Sequence, residues 1–177
     1  MKKESRLEIK FKFNSSQMKE FISKYELSNY LHPARNIESI YFDTVNFKLF
    51  ENSLFSDSQN FKVRYRYYDK DLSKIYKEIK ISNPLGKSKT SEIQSNLNQI
   101  PNQIYFKGLN LIPVSKVSYD RKYFKFNNSR VTIDSKIQFS TVGNRSLNTR
   151  AINKNFFIVE FKILNKDNFN VYNDLPD

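Results

Sequence analysis

Apolar and charged residues alternate with period two over segment after segment of this chain, and that pattern constrains its fold more than any other feature. In FKVRYRYY (Phe61 to Tyr68), Val63, Tyr65 and Tyr67 fall on one face and Lys62, Arg64 and Arg66 on the other. RLEIKFKF sets Arg6, Glu8, Lys10 and Lys12 against Leu7, Ile9, Phe11 and Phe13. KIYKEIKIS sets Tyr76, Glu78 and Lys80 against Ile75, Ile79 and Ile81. RVTIDSKIQF sets Arg130, Thr132, Asp134 and Lys136 against Val131, Ile133 and Ile137, and FFIVEFKI sets Glu160 and Lys162 against Phe157, Val159, Phe161 and Ile163. SIYFDT adds a short strand at Ser39 to Asp43, and KVSYDRKYFKF adds one with Tyr119 and Arg121 on a shared face. The β-branched and aromatic content of these segments marks them as strands.

Helical spacing is scarcer. SSQMKEFISKYELSNYL carries an apolar stripe of Met18, Phe21, Ile22 and Tyr25 behind a serine cap at Ser15 or Ser16. DTVNFKLFENSLF predicts a short helix or turn with Asp43 as its cap, and KTSEIQSNLNQI predicts a third helix. With 177 residues and 38% hydrophobic content, the chain supports one domain, residues 1–177, with its own core. The expected class is mainly β (α+β): an antiparallel sheet with peripheral helices. No segment approaches the ~18 uninterrupted apolar residues of a membrane span, and the N-terminus lacks the apolar core of a signal peptide. The default expectation is therefore a cytoplasmic protein. Cysteine is absent, so disulfides and thiolate-bound metals are excluded.

A formal net charge of +12, from 30 Lys+Arg against 18 Asp+Glu, calls for an anionic partner. The single histidine, His32 beside Pro33, reads as a loop residue and makes imidazole-based catalysis improbable. Three glycines, Gly86, Gly108 and Gly143, stand in no phosphate-cradling spacing. If phosphate is held, long side chains hold it. Two features argue for that. Arginines, which suit bidentate recognition of phosphate, recur in strand centres at Arg64, Arg66, Arg121 and Arg130. Carboxylates stand two residues from lysines in Glu8/Lys10, Glu78/Lys80 and Glu160/Lys162. A sheet closed into a barrel would collect these faces inside, where a triphosphate with a divalent metal would neutralise them. The plain alternative is a set of half-buried strands whose charged faces meet only water.

The ordered set RLEIKF, SIYFDT, KVRYRYY, KEIK, GKSK, VSYDRKYF, RVTID and IVEFK resembles the vacuolar transporter chaperone (VTC) domain, the polyphosphate polymerase branch of the CYTH-like triphosphate tunnel metalloenzymes. The resemblance runs from Arg6 to about Lys162. It implies an eight-stranded antiparallel tunnel that binds ATP, triphosphate or polyphosphate with Mn2+ or Mg2+. It also implies transfer of the terminal phosphoryl group onto a growing polyphosphate chain. The family's basic residues fall on Lys10, Arg64, Arg66, Lys80, Arg121 and Arg130, with a further lysine on Lys89 or Lys87, and its metal-binding glutamate falls on Glu160. Lys12, Lys162 and Tyr119 share these faces and join the expected substrate-binding set. Glu8 is a second metal candidate, with neutralisation of its lysine neighbours as the alternative role; Asp134 is expected to hold an arginine.

The pattern is not followed throughout. Hydrolytic relatives carry a second glutamate where Arg6 stands, which favours the polymerase branch. The family continues into a helix and a Ser-Lys-Tyr segment, whereas this sequence stops at VYNDLPD, so the expected tunnel lacks a closing wall and one lysine. The rival readings are a triphosphatase on the same site, a non-catalytic polyphosphate or nucleotide sensor, and a basic β domain for single-stranded nucleic acid. The last predicts aromatic residues on the arginine face, and Phe61, Tyr65 and Tyr67 lie on the other one. A membrane-bound partner subunit is left open.

Overall fold

The structure, a computed structural model, describes residues 7–25, 27, 30–55, 59–83, 86–94, 99–126, 129–142 and 152–163. Arg6 lies outside them. The alternating segments form β1 (Leu7–Phe13), β2 (Tyr30–Asp43), β3 (Asn60–Tyr68), β4 (Asp71–Asn83), β5 (Gly86–Ile93), β7 (Leu109–Phe126), β8 (Ser129–Thr141) and β10 (Phe157–Ile163). Two three-residue strands, β6 (Ile104–Phe106) and β9 (Ile152–Lys154), and two helices, α1 (Ser15–Tyr25) and α2 (Lys48–Asn52), complete the described elements.

The hydrogen-bonded path runs β1-β10-β8-β7-β2-β3-β4-β5, with β6 on β7 and β9 on β8. Eight strands therefore make the path, and β1–β10, β10–β8, β2–β3, β3–β4, β4–β5 and β6–β7 are antiparallel. Among the described residues no pairing joins β5 back to β1. No described helix is long and apolar enough to cross a membrane.

Several local expectations are corrected. SIYFDT is the end of a fourteen-residue strand, and β2 runs back through His32. His32 is thus a strand residue, not a loop residue, with its ring edge-on to Tyr123 at 5.3 Å. KTSEIQSNLNQI is not a helix: Lys89 to Ile93 belong to β5 and pair with β4 from Lys80↔Lys89 to Tyr76↔Ile93. Thr90 and Ile93 suit a pleated strand, and the ladder that β4 offers outweighs weak helical spacing. The cap of α1 is Asn14 rather than a serine. Gln17 N–H donates to Asn14 Oδ1 at 2.9 Å and Asn14 N–H donates to Gln17 Oε1 at 3.0 Å, a reciprocal capping box. Ile22, placed in the apolar stripe, is 45% exposed.

The chain divides into two compact units. The first comprises Met1–Arg35, Tyr119–Ile137 and Asn153–Asp177. Here β1, β10 and β8 present Phe13, Val131, Val159 and Phe161 to the buried Met18 and Phe21 of α1. The Phe21 ring stands edge-on to Phe161 at 5.9 Å and 5.3 Å from Phe13. The opposite face of the same strands carries the charges. The second unit comprises Asn36–Ser118 and Gln138–Ile152. Its core joins Phe42, Val63, Tyr65, Ile75 and Leu111 to Leu49 of α2.

Asp43 fixes α2. Its carboxylate accepts from the N–H groups of Thr44 at 2.7 Å, Leu49 at 2.8 Å and Phe50 at 2.9 Å, satisfying donors that a helix start leaves unpaired. The β3–β4 turn, Asp69-Lys70, has φ of 52° and 61°, the backbone of a tight hairpin without glycine. Asn36 holds it: Asn36 N–H donates to Asp69 Oδ1 at 2.8 Å, and Asp69 N–H donates back to Asn36 O at 2.9 Å. The β6–β7 turn uses Lys107-Gly108, and the φ of 79° at Gly108 is one that glycine tolerates freely.

Candidate functional site

In the second unit, register puts charges onto one face. Residues directly opposite in neighbouring strands share a face. Ser39↔Arg66, Tyr41↔Arg64, Arg64↔Glu78, Lys62↔Lys80, Glu78↔Ser91 and Lys80↔Lys89 therefore assemble one polar surface over β2 to β5. At its centre is Glu78, 4% exposed. Arg64 Nε donates to Glu78 Oε2 at 2.7 Å, with Nη2 at 2.5 Å from the same oxygen. Lys89 Nζ donates to Glu78 Oε1 at 2.5 Å, and Arg66 Nη1 lies 3.9 Å from Oε2. Three cations thus converge on one buried carboxylate. Burial alone would raise the Glu78 carboxyl, yet Arg64, Lys89 and Arg66 together hold it below the usual carboxylate range.

The arginines are held from behind as well. Arg64 Nη1 donates to Tyr41 Oη at 2.9 Å, and Arg66 Nε donates to Ser39 Oγ at 2.9 Å. Ser39 and Tyr41 were missed as site residues. Their signal was present in SIYFDT, where they alternate with Ile40 and Phe42 as the polar members of the strand. On the other face of β3, Tyr67 donates to Glu38 Oε2 at 2.8 Å, and Lys116 pairs with the same oxygen. Nothing in the sequence spacing linked Lys116 to Glu38, because the two are 78 residues apart along the chain.

The first unit builds a different surface. Glu8↔Lys162↔Arg130, Lys10↔Glu160↔Thr132 and Lys12↔Ile158↔Asp134 share the face opposite α1. Glu160, 6% exposed, is 3.3 Å from Lys10 Nζ and 3.1 Å from Lys162 Nζ; Lys162 also reaches Glu8 at 2.9 Å. Burial works against the Glu160 charge, but Lys10, Lys162 and Arg121 outweigh it and keep the carboxyl low. Arg121 donates both prongs of its fork to Asp134, Nε to Oδ1 at 2.6 Å and Nη2 to Oδ2 at 2.7 Å. Asp134 therefore has its expected arginine, and Arg121 also lies over the Tyr119 ring at 5.2 Å.

The predicted residues are thus gathered unevenly. Arg64, Arg66 and Lys89 meet on Glu78, while Lys80 stands beside Lys89 in register on the same face. Lys10, Lys162, Glu8 and Glu160 form one chain of ion pairs. Arg130 is exposed opposite Lys162, and Lys12 is exposed and lies over the Phe156 ring at 4.9 Å. Lys87 pairs with Ser82 along β5, but its side chain lies outside the described set.

Among the described residues no three His, Asp or Glu side chains converge as a self-sufficient metal cage. The donors that do occur together, Glu160 and Glu8 bridged by Lys162, are hard oxygens. Mg2+ and Mn2+ suit such a set, because they are commonly held by one or two carboxylates plus substrate phosphates. The residues present fit a divalent cation on those terms.

A family profile for the VTC domain matches residues 5–104 and again residues 84–175. No curated protein matches the sequence. Among solved structures, a candidate adenylate cyclase from Bacillus halodurans matches with TM-score 0.54 and 16% identity, covering 89% of this chain and 81% of that one. A candidate adenylate cyclase from Vibrio parahaemolyticus gives 0.52 and 12%, over 91% and 78% of the two chains. A candidate adenylyl cyclase from Hippeastrum, described as having a dominant triphosphatase activity, gives 0.50 and 14%, over 89% and 79%. At these identities the likeness concerns the fold, that of the triphosphate tunnel proteins.

Proposed function

Because the chain belongs to the VTC domain family, we propose that it binds ATP or polyphosphate together with a divalent cation and transfers a terminal phosphoryl group onto a polyphosphate chain. The observation that supports this reading most directly is the convergence of Arg64, Arg66 and Lys89 on the single buried carboxylate of Glu78. A solvated strand face needs no such arrangement. A surface that takes up a polyanion does, since its cations must be held apart from the core and ready to face several phosphate oxygens.

In this reading Arg64, Arg66, Lys80 and Lys89 bind phosphate oxygens on the second unit, and Lys10, Arg121, Arg130 and Lys162 do so on the first. Lys12 and Tyr119 extend the substrate contacts. Glu160 is the carboxylate that would hold the cation, assisted by Glu8. A bound Mg2+ or Mn2+ supplies charge screening on the oxygens of the transferred group. The acceptor oxygen attacks the terminal phosphorus, and the bond from that phosphorus to its bridging oxygen breaks. Arginine and lysine side chains align donor and acceptor and stabilise the developing charge; no covalent link to the protein is required. The relative with triphosphatase activity gives the runner-up, the same alignment with water as acceptor.

Incubation with ATP and Mn2+, followed by resolution of products by length, tests the reading. A ladder of polyphosphate is expected. Free phosphate without a ladder would replace the polymerase with the hydrolase, and unchanged ATP would reduce the chain to a binding module.

A further inference from the structure

The first unit contains a polar atom whose environment the proposed function has not used. Thr132 is 0% exposed, and its Oγ1 is buried without a hydrogen-bond partner in the structure. A buried hydroxyl of this kind is costly unless something pairs with it, so native proteins keep few of them. Its placement is specific. Thr132 is the β8 residue directly opposite Glu160 on β10, on the face turned away from α1. Opposed side chains of this kind have Cβ atoms about 5 Å apart. Arg130 and Asp134 lie two residues to either side on the same strand face. Asp134 already gives both oxygens to Arg121, and Glu160 already faces Lys10 and Lys162. Of the oxygens on this stretch of the face, the Thr132 hydroxyl is the one left over.

We infer that Thr132 Oγ1 is a cation ligand, completing with Glu160 the protein's share of the divalent-metal site. This rests on the reading of Glu160 as the metal carboxylate. Charge decides between the ligands that a lone hydroxyl could take. A phosphate oxygen entering between Thr132 and Glu160 would meet a carboxylate head-on, whereas a divalent cation is drawn to both oxygens. A neutral hydroxyl also adds a hard donor without adding charge, which suits Mg2+ or Mn2+. Lys10 is free to leave Glu160 when a cation arrives, since its side chain is 59% exposed. Asp134 is the nearer carboxylate along β8, but its bidentate hold on Arg121 occupies both of its oxygens.

The test uses Mn2+ alone as the probe, free Mn2+ being read by electron paramagnetic resonance, on the full chain and three variants. Thr132→Val removes the hydroxyl at nearly constant volume; Thr132→Ser keeps it; Glu160→Gln removes the carboxylate. The expected result is a loss of Mn2+ affinity of about tenfold or more in Thr132→Val, with parental affinity in Thr132→Ser. Tripolyphosphate affinity without metal should be unchanged in Thr132→Val. The melting temperature of Thr132→Val in metal-free buffer should equal or exceed the parent's, because an unpaired buried hydroxyl has gone. Unchanged Mn2+ affinity in Thr132→Val, beside a loss in Glu160→Gln, overturns this inference and leaves the functional reading standing. Loss in Thr132→Ser equal to that in Thr132→Val overturns it as well, since the effect would then follow the methyl group. Absence of Mn2+ binding by the parent overturns both. If Thr132→Val does not fold, the hydroxyl has a structural role and the inference fails.

Discussion

Replacing Glu78 by glutamine should move folding stability and anion binding in opposite directions. Glutamine keeps the shape of the side chain but removes the charge on which Arg64, Arg66 and Lys89 converge. Breaking a buried ion pair by removing one partner costs about 3–5 kcal/mol. Glu78 is itself buried, but the side chains of Lys89 and Arg64 are 48% and 22% exposed, so water recovers part of the loss. The amide also keeps some hydrogen bonds. An expectation of about 2–3 kcal/mol follows, and at about 2–4 °C per kcal/mol for a chain of this size the midpoint should fall by roughly 4–12 °C. With the counter-charge gone, tripolyphosphate should bind more tightly. At a hundredfold excess over its dissociation constant it should return about 2.7 kcal/mol, close to the whole deficit.

Acid supplies an internal control. The Glu78 carboxyl is held below its ordinary value of 4.5 in the folded chain. Its contribution is therefore fully present above that value and is lost as pH falls through the folded-state pKa. Parent and variant should differ at pH 7 and converge in acid, where both carry an uncharged side chain. Thermal melts at both pH values, with tripolyphosphate, sulfate and chloride at matched ionic strength, read all of this. Sulfate should do far less than tripolyphosphate, since one chain can engage several forks. Equal midpoints at pH 7, or weaker tripolyphosphate binding by the variant, would refute the reasoning.

Three further outcomes are expected. Glu160→Gln should abolish metal-dependent turnover while triphosphate affinity without metal persists or rises, measured by calorimetry with chelator present. Arg64→Ala should weaken triphosphate binding by about tenfold or more, a loss of one charge-assisted contact, with its circular dichroism spectrum unchanged; retained affinity would remove Arg64 from the site. Asp43→Ala should cost about 2 kcal/mol in urea denaturation, because the N–H groups of Leu49 and Phe50 at the start of α2, and that of Thr44 before it, lose their acceptor.

The strands were legible because a half-buried sheet writes its two faces into alternate residues: Phe11, Phe13, Val159 and Phe161 reach the core under α1 while Lys10 and Glu160 do not. What was not legible depended on partners far along the chain or on chemistry with no period. β5 looked helical because nothing within KTSEIQSNLNQI records that β4 offers it a ladder. Asn14 capped α1 through Gln17, although Ser15 and Ser16 are equally good caps taken alone. The cations of the site could be read individually, yet their grouping could not. Arg64 and Glu78 stand in adjacent strands at positions that periodicity assigns to a face, but only the β4–β5 pairing, which sets Ser91 opposite Glu78, shows that Lys89 two residues away reaches the same carboxylate.

That grouping bears on how the acids should be understood. Taken face by face, β3 to β5 expose Lys62, Arg64, Arg66, Lys80 and Lys89 to one carboxylate, Glu78. The face of β1, β10 and β8 carries Lys10, Lys12, Lys162 and Arg130 with Glu8, Glu160 and Asp134, the last bound to Arg121. The first surface is rich in cations and the second is nearly balanced, so the two should serve a polyanion differently. On the first, Glu78 acts as a stand-in: it holds Arg64 by Nε and Nη2 while Tyr41 takes Nη1, which fixes the plane of the guanidinium before any ligand arrives. Under the proposed function, a phosphate would compete with Glu78 for a guanidinium whose plane is already set, so the side chain need not reorient. On the second surface the proposed function has Glu160 and Glu8 hold the cation, with Lys10 and Lys162 turning from them to phosphate. Under the proposed function, each face would therefore contribute something different: the cation-rich face of β3 to β5 would bind phosphate oxygens, and the Glu160 face of β1, β10 and β8 would hold the cation.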